Sequence, residues 1–261
     1  MTSNGQTVLI TGAASGIGRR IAERFLEQGA AVHICDASEQ AVAYFVSENS
    51  RVTASVANVG VREDLDRLFS DFRGHHKHLN VLVNNAGVAG PVGPVETLDE
   101  DGWDDCLQTN LSGSFYVTKR AVPLLRKSGD ASIINIASTA ALMGCPNRSP
   151  YVASKWAQIG LTKTWAMELG PEGIRVNAVC PTSVEGERID RVIDIEAEQR
   201  GLSADEIREI YLRQSSMRSF ATADEVADTV LFLASDQARR ISGQALAVDG
   251  HTEGFLNWLD K

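Results

Sequence analysis

The chain has 261 residues, 43% apolar and 23% charged, and its 34 acidic against 25 basic side chains leave a net charge of −9. That length suits one domain whose core needs no disulfide or structural metal. An acidic chain without a dense Lys/Arg run argues against nucleic acid and anionic membranes as partners, and no apolar stretch approaches a membrane span. The polar opening Met1-Thr2-Ser3-Asn4-Gly5-Gln6 does not read as a signal peptide. Cys35, Cys106, Cys145 and Cys180 are scattered and read as reduced thiols in a cytoplasmic protein. The cluster His75-His76-Lys77-His78 reads as a solvated loop rather than a metal site.

In chain order, Thr7 to Thr11 is an apolar run typical of a strand buried on both faces. Ile17, Ile21, Phe25 and Leu26 then repeat at helical spacing up to Gly29. A strand at Ala31 to Cys35, a helix from about Ser38 to Ser47 and a strand near Val52 to Val56 follow. Next come a helix near Arg62 to Arg73, a strand at Leu79 to Val83 and a long helix from about Asp101 to Arg126. A strand at Ala131 to Ala137, a helix from Tyr151 to Leu169 and strands at Ile174 to Val179 and Ala245 to Val248 complete the pattern. Strands alternating with helices predict a single α/β domain over 1–261, a doubly wound seven-stranded parallel sheet of Rossmann type. The stretch from Val184 to about Phe220 breaks the rhythm. Nine acidic and five basic residues lie between Glu185 and Arg213, and the stretch reads as a substrate loop or lid.

The turn after the first strand is Thr11-Gly12-Ala13-Ala14-Ser15-Gly16-Ile17-Gly18. Gly12 permits a tight exit, Gly16 a close approach of a pyrophosphate and Gly18 close helix packing, while the helix start offers free N–H groups to phosphates. Asp36 ends the second strand, 18 residues after Gly18. A carboxylate there accepts from ribose hydroxyls and repels a 2′-phosphate, and neither Ser15 nor Ala37 supplies a cation for one, which favours NAD over NADP.

Tyr151 and Lys155 are four apart and share a helix face. Ser138 ends the fifth strand at the edge of the expected cofactor crevice, and the amide of Asn110 is placed to hold a water or orient the lysine. A tyrosine serves as general base near neutral pH only when its pKa of about 10 is lowered, and an ammonium beside it does that. Tyr151 is therefore the expected acid/base, Lys155 its activator and Ser138 the holder of the substrate oxygen.

Gly12-x-x-x-Gly16-x-Gly18, Asn84-Asn85-Ala86-Gly87, Asn110, and Ser138 followed 13 residues later by Tyr151-x-x-x-Lys155 together resemble the short-chain dehydrogenase/reductase superfamily. The resemblance extends to Gly243-Gln244 and Val248-Asp249-Gly250. It implies that Ser15, Ile17, Val59, Pro181, Asn85, Ala86 and Gly87 line the cofactor, that the Val184 backbone bonds its carboxamide and that Lys155 also holds ribose hydroxyls. It implies too a dimer or tetramer built on the helices of Asn110 and Tyr151. Thr182, Gly186 and Asn58 depart from the family pattern; Asn58 stands where an aspartate usually accepts from adenine, and its carbonyl still can.

Asn147, Arg148 and Arg188, with Thr139, Ala140, Val88, Ala89, Glu185 and Arg191, are the expected pocket residues. Asn and Arg suit hydroxyls or an acid group, so the expected substrate is a small polar molecule: a sugar, polyol or hydroxy acid. The alternatives are a 3-oxoacyl-carrier-protein or 3-hydroxyacyl reductase, a steroid or aromatic-alcohol dehydrogenase and, more remotely, a non-catalytic dinucleotide sensor. The segment His251-Thr252-Glu253-Gly254-Phe255 is expected to reach a neighbouring subunit's pocket.

Overall fold

The first strand, β1 (Thr7–Thr11), is buried along its whole length. Its side chains alternate between two cores, Val8 and Ile10 facing one and Leu9 the other. The computed structural model describes residues 5–252 and Gly254. In it β1 is joined by β2 (Ala31–Asp36), β3 (Thr53–Val56), β4 (Val81–Asn84), β5 (Ala131–Ile136), β6 (Ile174–Pro181) and β7 (Ala245–Val248). The order is β3-β2-β1-β4-β5-β6-β7 and every neighbouring pair is parallel. The strands expected from sequence are all present, with ends moved by no more than two residues. Strand order reverses between β1 and β4, which opens a crevice at their carboxyl ends.

The helices are α1 (Gly16–Glu27), α2 (Glu39–Glu48), α3 (Arg62–His75), α4 (Glu100–Leu107), α5 (Gly113–Leu125), α6 (Ser149–Leu169), α7 (Glu187–Arg200), α8 (Ala204–Arg213) and α9 (Ala223–Ala234). Ile21 and Phe25 of α1, Phe45 of α2 and Val226, Val230 and Leu233 of α9 cover one face of the sheet. Leu65, Leu68 and Phe72 of α3, Val117 and Ala121 of α5, and Trp165 and Leu169 of α6 cover the other.

Three features differ from the sequence expectation. The long helix is interrupted: α4 and α5 are joined by a π-turn at Gln108–Ser112. The expected lid holds two helices, α7 and α8, which share a small core of Ile189, Ile193, Ala197, Ile207 and Phe220. It connects back to the sheet edge where Val184 bridges Ala221. Finally, α9 is absent from the sequence reading, although Thr222 and Glu225 form a reciprocal capping box at its start.

His76 is half-buried and hydrogen-bonded to Thr53 Oγ1 at 3.1 Å, so it is not part of a solvated loop as expected. No group of three His, Cys, Asp or Glu side chains converges as metal ligands among the described residues. Among them, too, no helix is long and apolar enough to cross a membrane.

Candidate active site

The glycine turn leaves β1 with Gly16 at φ 54°, the left-handed region, and open space where a Cβ would stand. A Cβ on Gly18 would collide with the Gly12 carbonyl and the Asn85 amide, so only glycine lets α1 begin this close to the turn. Ser15 precedes α1 without capping it through its side chain, and the first turn carries no acid. The N–H groups at this helix start and its positive dipole end are therefore available to a phosphate.

Asp36 ties the crevice rim together. One carboxylate oxygen accepts from Ala14 N–H at 3.1 Å and the other from Ser38 N–H at 3.1 Å. Each oxygen keeps further acceptor capacity for ribose hydroxyls. The Asn85 side chain donates to the carbonyls of Thr11 (3.0 Å) and Gly12 (2.7 Å), and Thr11 Oγ1 accepts from Ala86 N–H at 3.0 Å. The loops after β1 and β4 are thus one hydrogen-bonded unit, with Ile17 packed against the core beneath it. These features fit a dinucleotide: open space at a helix start, and a carboxylate beyond it.

Other expected cofactor residues are placed less simply. Asn58 Oδ1 accepts from Gly60 N–H at 2.9 Å, which leaves it one lone pair for adenine. Val59 is buried, its side chain packed against Gly113. At the bridge to Ala221 the bonds are made by Ser183 and Glu185, and the N–H and C=O of Val184 point to the opposite edge. Pro181 ends β6, and its carbonyl accepts from Thr139 Oγ1 at 3.4 Å.

Ser138, Tyr151 and Lys155 converge where β5 meets α6. Pro150 in the first turn of α6 suits a position whose N–H has no helical partner. Lys155 is 4% exposed; its Nζ donates to the Ile136 carbonyl at 2.7 Å and lies 5.7 Å from the centre of the Tyr151 ring. Burial pushes the Tyr151 phenol up, but Lys155, Arg188, the Ser138 hydroxyl and Arg148 together outweigh it, so its pKa is lowered. Burial also pulls Lys155 below its ordinary value, against the support of Tyr151. Ser138 Oγ accepts from Ala140 N–H at 3.1 Å, which leaves its own proton to donate.

Asn110 is buried in the π-turn, but its side chain does not reach Lys155. Its Oδ1 accepts from Val88 N–H (2.7 Å), and its Nδ2 donates to the Val88 carbonyl (3.0 Å) and Ser154 Oγ (3.1 Å). The link to the lysine runs through Gln158, which the sequence reading missed. Its Nε2 donates to the Asn110 carbonyl at 2.8 Å and its Oε1 lies 3.4 Å from Lys155 Nζ. The available signal was the polar series Ser154, Lys155, Gln158 and Thr162 on one buried face of α6. Gly87 completes this corner, its Cα side facing Asn110 and Lys155.

Of the expected pocket residues, Arg148 stacks over the Tyr151 ring at 5.3 Å. Arg188 and Arg191 are exposed at the start of α7, and Val88 is exposed after β4. Asn147 is exposed, with a positive φ of 61°. Thr139 and Ala140 are buried in the 3₁₀ turn that follows Ser138. His251 and Thr252 fold back on Ser216 and Ser215 of their own chain rather than reaching away, while Glu253 and Phe255 lie outside the described residues.

A family model described as enoyl-(acyl carrier protein) reductase matches residues 12–252. The chain is 35% identical over 254 residues to a 3-oxoacyl-[acyl-carrier-protein] reductase of Thermotoga maritima, covering 96% of this chain and 98% of that one. Its structure resembles that of the aldohexose dehydrogenase of Thermoplasma acidophilum, with TM-score 0.85, 32% identity and 95% and 93% of the two chains covered. It also resembles a NAD⁺-bound xylitol dehydrogenase, with TM-score 0.86, 29% identity and 94% and 98% covered. With the parallel sheet, the glycine turn and this likeness along nearly its whole length, the chain belongs to the short-chain dehydrogenase/reductase superfamily, a family of oxidoreductases that use nicotinamide cofactors.

Proposed function

We propose that this protein interconverts a secondary alcohol and a ketone with NAD(H), on a small polar substrate such as a sugar, polyol or hydroxy acid. The observation that carries the reading is the convergence of Ser138, Lys155 and a Tyr151 phenol held toward its ionised form. A bound nicotinamide dinucleotide supplies the hydride acceptor in one direction and the donor in the other. Tyr151 takes the hydroxyl proton as the carbon loses its hydride, Ser138 donates to the substrate oxygen, and Lys155 stabilises the phenolate. In reduction Tyr151 returns the proton to the carbonyl oxygen.

NAD is favoured because Asp36 presents a carboxylate at the ribose end of the crevice, where a 2′-phosphate would meet like charge. The cofactor lies along Gly12, Ser15, Gly16, Ile17, Gly18, Asp36, Asn85, Ala86 and Gly87. A dimer or tetramer through α5 and α6 accords with Phe115, Trp156 and Met167, large apolar side chains exposed on those helices.

The second reading is a 3-oxoacyl-carrier-protein reductase, favoured by the 35% identity to such an enzyme. The test is NADH formation from NAD⁺ with sugars, polyols, hydroxy acids and 3-hydroxyacyl esters, with NADP⁺ and Tyr151→Phe alongside. Turnover of a polar alcohol that needs NAD⁺ and disappears in Tyr151→Phe supports the first reading. Preference for NADP⁺ and an acyl ester supports the second.

A further inference from the structure

Arg148 is the residue immediately before α6, and its setting is unusual for a surface arginine. The preceding Asn147 holds a left-handed φ of 61°, a region few residues other than glycine adopt, and its carbonyl is pinned by Gly93 N–H at 3.0 Å. This turn brings the guanidinium over the Tyr151 ring, 5.3 Å from its centre. The Arg148 Nε is buried and has no hydrogen-bond partner among the described residues. A buried donor of this kind is costly to leave unmade, and more so on a charged group.

Two acids of the neighbouring α7, Glu196 and Asp190, are engaged with other groups. Glu196 pairs with Arg200 at 3.0 Å and accepts from the Tyr211 hydroxyl at 2.8 Å, while Asp190 pairs with Arg208 at 2.5 Å. Arg188, in the first turn of α7, is exposed and near enough for its charge to act on both Tyr151 and Lys155. Three cations therefore surround one phenol. Arg148 and Arg188 both stand at helix N-termini, where the helix dipole disfavours positive charge. An anion seated between them would satisfy the Nε donor and offset both repulsions.

We infer that the space above Tyr151 is an anion subsite with Arg148 as its principal donor and Arg188 as its second, and that the substrate carries a carboxylate or sulfonate within a few bonds of its alcohol carbon. The inference rests on the alcohol dehydrogenase reading and narrows it: of sugars, polyols and hydroxy acids, it selects acids. Planar, forked guanidinium groups match carboxylate and sulfonate oxygens two at a time, a geometry that a neutral polyol does not use.

The experiment compares 2- and 3-hydroxycarboxylates and hydroxysulfonates with the methyl esters and amides of the same acids, using NAD⁺ and the wild type, Arg148→Met, Arg148→Lys and Tyr151→Phe proteins. The wild type should prefer acids over esters by about tenfold or more in kcat/KM. Arg148→Met should erase that preference mainly through KM, and Arg148→Lys, which keeps the charge and loses the fork, should fall between. Equal rates on acids and esters in the wild type would overturn the inference. So would an equal loss on both in Arg148→Met, which would make Arg148 only a modulator of the phenol.

Thermal melting of the enzyme–NADH complex with 2- and 3-oxocarboxylates or their esters supplies a second readout that needs no turnover. Stabilisation by the acids that depends on Arg148 supports the subsite even if no alcohol is oxidised, an outcome that would remove the dehydrogenase reading alone. Stabilisation that is absent, or unchanged in Arg148→Met, removes the subsite.

Discussion

Gln158 and Asn110 meet across the contact between α6 and the π-turn, the side-chain amide of one donating to the main-chain carbonyl of the other at 2.8 Å. The second N–H of Gln158 goes to Ser114 Oγ at 3.2 Å, which fixes the amide orientation and turns its oxygen toward Lys155. Gln158 is 1% exposed, so none of these partners is replaced by bulk water. Gln158→Leu should destabilise the protein by about 1–3 kcal/mol, because it leaves buried polar groups short of partners. It should also shift the pH profile of kcat, since Lys155 is left with the Ile136 carbonyl as its acceptor. Melting temperature and the pH profile together check this; a lower melting temperature with an unmoved profile would limit Gln158 to a structural role.

Lys155→Met is expected to move the acidic, ascending limb of the alcohol-oxidation pH profile to higher pH. In the native site burial pushes the Tyr151 phenol up, and Lys155 is the largest of the groups that pull it down. Without the ammonium the burial penalty remains and the phenol ionises later. Activity at neutral pH should fall by about 10²–10⁴, with part of it recovered as pH rises. The check is the pH dependence of kcat/KM for both proteins.

Asp36→Asn should narrow the preference for NAD⁺ over NADP⁺. The amide keeps an acceptor for the Ala14 or Ser38 N–H but removes the charge that opposes a 2′-phosphate. A hydrogen bond to a charged group is worth about 1.5–3 kcal/mol, so the ratio of kcat/KM values should change by about ten- to a hundredfold. An unchanged ratio would mean that Asp36 serves the turn alone.

His33 is fully buried in β2, bonded through Nδ1 to Thr53 Oγ1 at 2.8 Å and through Nε2 to Ser55 Oγ at 3.1 Å. Burial, then the charges of His76 and His75, lower its pKa from the ordinary 6.5 to about 4, against a smaller pull from Asp71. The unfolded chain therefore takes up this proton at a higher pH than the folded one. The stability that His33 contributes is full above about pH 6.5 and is lost as pH falls toward about 4, by at most roughly 3 kcal/mol. Urea unfolding across that window should show the loss in the wild type and a shallower one in His33→Gln.

The sequence by itself determined the parts whose physics is local. A run buried on both faces, such as Thr7–Thr11, declares a parallel strand by losing its polar alternation. Tyr151 and Lys155 share a helix face because four residues make about one turn. Gly18 is legible as glycine in a tight turn, although the atoms that require it, the Gly12 carbonyl and the Asn85 amide, are 6 and 67 residues away.

The tertiary structure decided what depends on one element crossing another. Asn110 was legible as a polar residue in a helix, but the π-turn turns its side chain to Val88 and leaves its main-chain carbonyl to Gln158, 48 residues on. Thr139 and Ala140 follow Ser138 directly, and that the 3₁₀ turn there buries both is decided only by the packed fold. Arg148 looks in sequence like any loop arginine. Its meaning comes from the backbone turn at Asn147, which lays the guanidinium on Tyr151 and leaves its buried Nε without a hydrogen-bond partner among the described residues. Periodicity and turn chemistry act within a few residues and can be read along the chain; desolvation and unpaired charge arise only when distant segments exclude water from the same space.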